Sequence, residues 1–219
     1  MNLATLLNFA AHPETLWGEN HYISADYPGA FRNRVVELGG GVPLFFSGAL
    51  GGMVTANVNP KGSQEERRQY VKFMGHTLAE TAVSALESAE KIAEPVIAFR
   101  KKPVYFPMKN WRFRLARRLK IFERDFTDGY VKSEINFVSI GDLHILTAPG
   151  ECTPETGRLI LARMSGWNNM LFCLGCDEIG YILTGEQWAN REYCYETTMS
   201  LGMDTAGILI NECGVLLKV

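Results

Sequence analysis

The chain has 219 residues, 47% of them hydrophobic and 21% charged, a globular composition with enough length to bury a core. Its formal net charge of −2 excludes a global field that would gather nucleic acid or anionic membrane. The sequence holds no apolar run long enough for a bilayer-spanning helix and no basic segment with a cleavage site marking a secretory signal, which leaves location open.

Ala4 to Ala11 is a short apolar run that predicts a buried strand. It stops at His12-Pro13, because proline has no N–H for a ladder and biases the residue before it toward extended geometry. An imidazole at the carboxyl end of such a strand is well placed to bind a metal. A polar loop over 21–28 leads into a short helix through Val35 to Leu38, ended by Gly39-Gly40-Gly41. Val42 to Ser47 predicts a second buried strand, which runs into the glycine-rich loop Gly48 to Met53. From Ser63 to Glu90 the spacing predicts a helix. Tyr70, Phe73, Met74, Leu78, Val83 and Leu86 fall roughly on one face, and Ser63 with Glu66 forms a capping box. His76 lies off that stripe and is read as a packing or surface residue.

Pro95 to Phe99 begins a strand. Residues 109–124 hold seven basic side chains. Within them, Lys109 to Lys120 interleaves charge with Trp111, Phe113 and Leu115. This stretch supports two readings: contact with an anionic membrane surface, or a solvated helix whose apolar side packs on the domain. The second is the commoner outcome. Nucleic acid is not an expected partner, since the rest of the chain is acidic. Phe137 to Thr147 reads as a hairpin around Gly141-Asp142, with His144 a hydrogen-bonded strand histidine. The second strand ends at Ala148-Pro149-Gly150-Glu151, and a helix follows through Leu159 to Ala162. The next strand is expected to end at Asp177 to Tyr181, before a segment carrying Tyr193, Tyr195 and Glu196. Cys173 and Cys176 form a CxxC in an apolar run, read as inert buried thiols. The five cysteines show no disulfide framework.

Strands alternating with helices predict an α/β fold of mixed β-sheets layered with helices, as one domain over 1–219. Its strand ends present His12, Glu151 and Tyr181. Imidazole, carboxylate and phenolate together could hold Zn²⁺ and leave a position open.

These motifs, in this order and approximate spacing, resemble the neutral ceramidase family of zinc-dependent N-acylsphingosine amidohydrolases. Leu7 to Pro13 resembles its strand and zinc-binding His-Pro, and Ile23 to Asp26 the turn that follows. Gly48-Ala49-Leu50-Gly51 resembles the segment before its catalytic serine. Pro149-Gly150-Glu151 matches its Pro-Gly-Glu, and Gly180-Tyr181-Ile182 through Tyr195-Glu196 its Gly-Tyr stretch. The resemblance implies zinc ligands at His12, Glu151 and Tyr181. It implies a carbonyl-polarising tyrosine at Tyr195, with Tyr193 as competitor, and a small-molecule or lipid substrate carrying an N-acyl bond. Family members are often secreted or membrane-associated.

Two departures accompany the resemblance. The family's other zinc histidine lies in an upstream segment, so the chain is expected to correspond to the later part of an incomplete catalytic domain. Where the family has Gly-Asp-Val-Ser-Pro-Asn, this sequence has Gly51-Gly52-Met53-Val54-Thr55-Ala56-Asn57, which leaves Thr55 as the nearest hydroxyl. Threonine can act as a nucleophile when a base activates it. The rival expectation is a catalytically silent homologue or binding module.

Overall fold

A computed structural model describes residues 2–18, 20–59, 61–121, 124 and 126–218. The chain forms two compact units. Unit 1 comprises Met1–Ser47 with Val54–Lys91, and unit 2 comprises Gly48–Met53 with Ile92–Val219.

Unit 1 contains β1 (Ala4–Phe9), α1 (Asp26–Glu37), β2 (Val42–Ser47) and α2 (Gln64–Ala85). β1 and β2 pair in parallel, from Ala4 opposite Val42 to Phe9 opposite Ser47, with α1 as the crossover between them. Both strands were expected to be buried, but only one face is covered. Leu7 and Phe45 pack against Phe31, Val35 and Ala79, whereas Val42, Leu44 and Phe46 are exposed. An unbroken apolar run reads as a strand buried on both faces, yet the helices reach only one face of this pair.

The α2 capping box is present as expected, with Ser63 and Glu66 bonded reciprocally. The apolar face of α2 follows the expected stripe in part: Leu78 and Val83 pack against Phe31 and Val35. Phe73 and Leu86 are exposed, while Gly75 and Ala79 are buried. Small residues let α1 and α2 approach: a Cβ on Gly75 would lie 2.5 Å from the Ala30 Cβ and 2.6 Å from the Phe31 nitrogen.

Unit 2 begins with β3 (Ile97–Pro107), α3 (Trp111–Arg118), β4 (Phe126–Thr127), β5 (Tyr130–Ile140), β6 (Leu143–Thr147) and β7 (Glu151–Cys152). It continues with α4 (Pro154–Leu161), β8 (Asn168–Phe172), β9 (Tyr181–Ile182), α5 (Gly185–Ala189), α6 (Cys194–Thr198) and α7 (Thr205–Lys218). The main sheet runs β3-β5-β6-β8, with β4 on β5, and β7 pairs β9 in a small second sheet. The β6–β8 pair is parallel and the other pairs of the main sheet are antiparallel. Phe106, Ile135, Leu146, Ile160, Leu171 and Leu209 are fully buried between sheet and helices. The fold is therefore mixed α/β, with sheets layered against helices, as the alternation predicts. Among the described residues no helix is long and apolar enough to cross a membrane.

The hairpin turns at Gly141-Asp142 as expected, with Ile140 opposite Leu143. His144 lies within β6 as read, opposite Ser139. Its ring meets Phe137 edge-on at 5.2 Å, and its buried Nδ1 has no hydrogen-bond partner among the described residues. The strand expected to end at Tyr181 in fact ends at Phe172. A loop follows with left-handed backbone at Leu174, Cys176 and Gly180, and Tyr181 opens the next strand.

Candidate active site

The small β7–β9 sheet brings two of the candidate residues together in unit 2. In its parallel register Glu151 lies opposite Tyr181, so a carboxylate and a phenol stand side by side at the start of two strands rather than at strand ends. Backbone contacts fix both. The Glu151 N–H donates to the Gly180 carbonyl at 3.1 Å, and the Tyr181 N–H donates to the Met199 carbonyl at 3.1 Å. Gly180 adopts φ 90°, and a Cβ there would sit 2.0 Å from the Met199 oxygen. Only glycine permits that approach. On the other side, the Gly51 N–H donates to the Cys152 carbonyl at 2.8 Å, and a Cβ on Gly51 would meet the Glu151 carbonyl at 2.4 Å. The glycine loop thus closes on the backbone beneath Glu151.

These groups open into a cavity of about 460 Å³. Glu151, Glu178, Tyr181, Tyr195 and Arg124 supply its polar wall, and Met108, Phe113, Ile179, Met199 and Leu201 its apolar wall. Tyr181 and Tyr195 meet edge-to-face with ring centroids 5.9 Å apart. Burial, then the charge of Glu151 and a hydrogen bond to it, push the Tyr181 phenol above its ordinary range.

Arg124 reaches the same wall from the loop before β4. It holds Asp177 with two nitrogens and also donates to the Glu178 carbonyl at 3.1 Å. Ser133 donates to Asp177 at 2.5 Å, and the Glu178 N–H donates to it at 2.8 Å. Burial alone would raise the Asp177 carboxyl, but the hydrogen bonds from Arg124 and Ser133 outweigh it and hold the group below its ordinary value. Glu178 goes the other way. Desolvation at the cavity wall, helped by the charge of Glu151, pushes its carboxyl up to about 7, against the opposing hydrogen bond from the Gly180 N–H. Glu196, on α6, is buried, and its Oε2 has no hydrogen-bond partner among the described residues.

Of the residues singled out from sequence, Glu151, Tyr181 and Tyr195 come together in unit 2. Tyr195 lines the cavity, whereas the Tyr193 ring lies about 4.0 Å from the space a side chain on Gly52 would fill. His12 and Thr55 belong to unit 1. There the His12 N–H donates to the Val54 carbonyl at 2.8 Å, and the Tyr27 hydroxyl donates to the Ala11 carbonyl at 2.6 Å. The chain is thereby held on both sides of His12. The Thr55 Oγ1 is buried without a hydrogen-bond partner among the described residues.

Sequence reasoning missed Arg124, Asp177 and Glu178 as site residues. The adjacent acids just before Gly180-Tyr181 were the available signal. For a metal, unit 2 presents two hard oxygen donors, Glu151 and Tyr181, beside the further acid Glu178. Its nearby cation, Arg124, is committed to Asp177. That chemistry suits a divalent cation, but it fills two of the four positions zinc usually takes. Among the described residues no group of three His, Cys, Asp or Glu side chains gathers as a metal site.

The fold is that of the neutral ceramidases. The chain superposes on the crystal structure of neutral ceramidase from Pseudomonas aeruginosa with a TM-score of 0.72 at 15% identity, over 98% of this chain and 44% of that one. A ceramidase structure described as complexed with C2 matches with a TM-score of 0.74 at 15% identity, over 98% of this chain and 45% of that one. The chain thus spans less than half the length of the solved structures it matches. No protein-family model matches it, and no curated protein matches it in sequence.

Proposed function

We propose that this chain forms part of an amidohydrolase that cleaves the N-acyl bond of a lipid, and that unit 2 supplies its carboxylate and phenol groups. The observation that carries this reading is the Glu151–Tyr181 pair beside Tyr195, at the polar wall of a cavity whose other wall is apolar. Similarity to two ceramidase structures supports it. Glu151 and Tyr181 are the residues that would hold Zn²⁺. Bound there, the ion supplies Lewis acidity toward a carbonyl and acidifies a water.

The remaining roles fall to the chain's own side chains. The Tyr195 hydroxyl donates a hydrogen bond to the scissile carbonyl oxygen as charge develops on it. Donors of that kind contribute about 3 kcal/mol each. Met108, Phe113, Met199 and Leu201 give an acyl chain an apolar wall. Glu178, with its carboxyl at about 7, can take or return a proton near neutral pH.

The test combines metal analysis with kinetics on the purified protein. Glu151→Ala and Tyr181→Phe are each expected to weaken zinc retention at least tenfold against a chelator. Tyr195→Phe is expected to retain zinc and to lose roughly a hundredfold in hydrolysis of an N-acyl lipid. Failure of the unaltered protein to bind zinc, or equal retention by both ligand variants, sinks the reading.

A further inference from the structure

We propose that the outer face of α3 docks the protein on an anionic lipid surface. This goes beyond the hydrolase reading and does not depend on it. The helix has two unequal sides. Phe113 and Ala116, three residues apart, are half-buried and form its inner side, and Phe113 packs against the core and lines the cavity. Trp111, Leu115 and Leu119 recur every four residues on the opposite side, and they are 62%, 45% and 60% exposed. No residue of α3 is buried. A helix that merely covers the domain would turn this stripe inward and leave its polar side to water. Here, of the apolar side chains of α3, Phe113 and Ala116 are the half-buried ones.

Charge decides what such a stripe fits. From Lys109 to Ile121 there are six basic residues and no acidic one. Lys109 is engaged by Asp204 and the Arg114 Nε donates to the Met108 carbonyl at 2.7 Å; Arg112, Arg117, Arg118 and Lys120 add four more cations around the stripe. Arg112 stacks over Trp111 at 4.9 Å, and Arg117 over Phe126 at 5.0 Å, so two guanidinium groups are held against rings. The apolar core of a protein–protein interface is depleted of charge, whereas interfacial helices combine Trp and Leu with Arg and Lys in this way. The negative potential of an anionic leaflet adds roughly fivefold in affinity for each basic side chain near it. Because Phe113 faces the cavity from the same helix, a bilayer met by α3 would lie next to that cavity.

The experiment is co-sedimentation of the whole chain with vesicles of phosphatidylcholine, alone or mixed with phosphatidylserine. Binding is expected to the mixed vesicles, to fall with added salt, and to resist competition by free phosphoserine at millimolar concentration. Arg112→Glu/Arg118→Glu should weaken it at least tenfold. Trp111→Ser/Leu115→Ser should weaken it comparably with the charge unchanged, and both variants should keep the parent circular dichroism because these side chains are exposed. The proposal fails if either double variant binds like the parent. It also fails if free phosphoserine displaces the protein, or if single-stranded DNA is bound more tightly than the mixed vesicles. Self-association lost in the Trp111/Leu115 variant, without vesicle binding, would equally overturn it.

Discussion

Asp177 shows how a single residue can set a cavity wall. Its carboxylate accepts hydrogen bonds from Arg124, from Ser133 and from the Glu178 N–H, and both partners of the ion pair are about three-quarters buried, at 24% and 23% side-chain exposure. Charge-assisted bonds of this kind, in surroundings drier than water, outweigh what burial costs the anion. They also pin a loop that carries two left-handed non-glycine residues, Leu174 and Cys176. Arg124→Ala leaves the carboxylate with fewer donors and should cost about 1–3 kcal/mol of stability at pH 7. The sign with pH follows from the depressed carboxyl. Its contribution is complete above the unfolded-state value near ~3.9 and is lost as pH falls through the folded value. Urea unfolding at pH 7 and pH 3 should therefore give a parent–variant gap that narrows on acidification; a gap that stays constant with pH would refute this assignment. Sequence reading could not pair Arg124 with Asp177, because 53 residues separate them and Arg124 stood among other basic residues.

At the level of elements, the legible features were those with local causes. The α2 start is written in Ser63 and Glu66, and the β5–β6 turn in Gly141-Asp142. Less legible were features set by which neighbour arrives. The β1–β2 pair is covered on one face only. The α1–α2 contact brings in the small Gly75 and Ala79 alongside the large Leu78 and Val83, while Phe73 and Leu86 stay exposed. Gly75→Ala tests that contact with two effects of opposite sign. Helix propensity favours alanine by about 1 kcal/mol. The added methyl, however, would sit 2.5 Å from the Ala30 Cβ and 2.6 Å from the Phe31 nitrogen and the Tyr27 oxygen. Two of those neighbours are backbone and cannot rotate away, so overpacking at about 1–3 kcal/mol should win. Thermal melting should show a lower midpoint for Gly75→Ala, while alanine at the exposed position Thr77 should leave the midpoint nearly unchanged. A higher midpoint for Gly75→Ala would remove the close contact.

For the whole molecule, the residues of one sequence motif set belong to two units with separate cores. His12 and Thr55 lie in unit 1, and Glu151, Tyr181 and Tyr195 in unit 2. The sequence showed the order of these residues along the chain, but compactness is decided by contacts that order does not encode. The cysteines give a direct reading of unit 2, because all five belong to it. Cys152, Cys173 and Cys213 are buried, and Cys176 and Cys194 are exposed. The inert-core reading of the CxxC thus holds for Cys173 and not for Cys176. A hydrogen bond with Cys173 and burial raise the Cys152 thiol well above its ordinary value, and burial pushes Cys213 up to about 12. A neutral thiol without access to reagent does not react. Two of the five thiols should therefore react promptly with a disulfide reagent in the native protein, and three only as unit 2 opens. Their exposure along a urea titration should give the midpoint of unit 2 alone, since unit 1 carries no thiol. A third thiol reacting at the fast rate under native conditions would show that the core around Cys152, Cys173 and Cys213 is not closed.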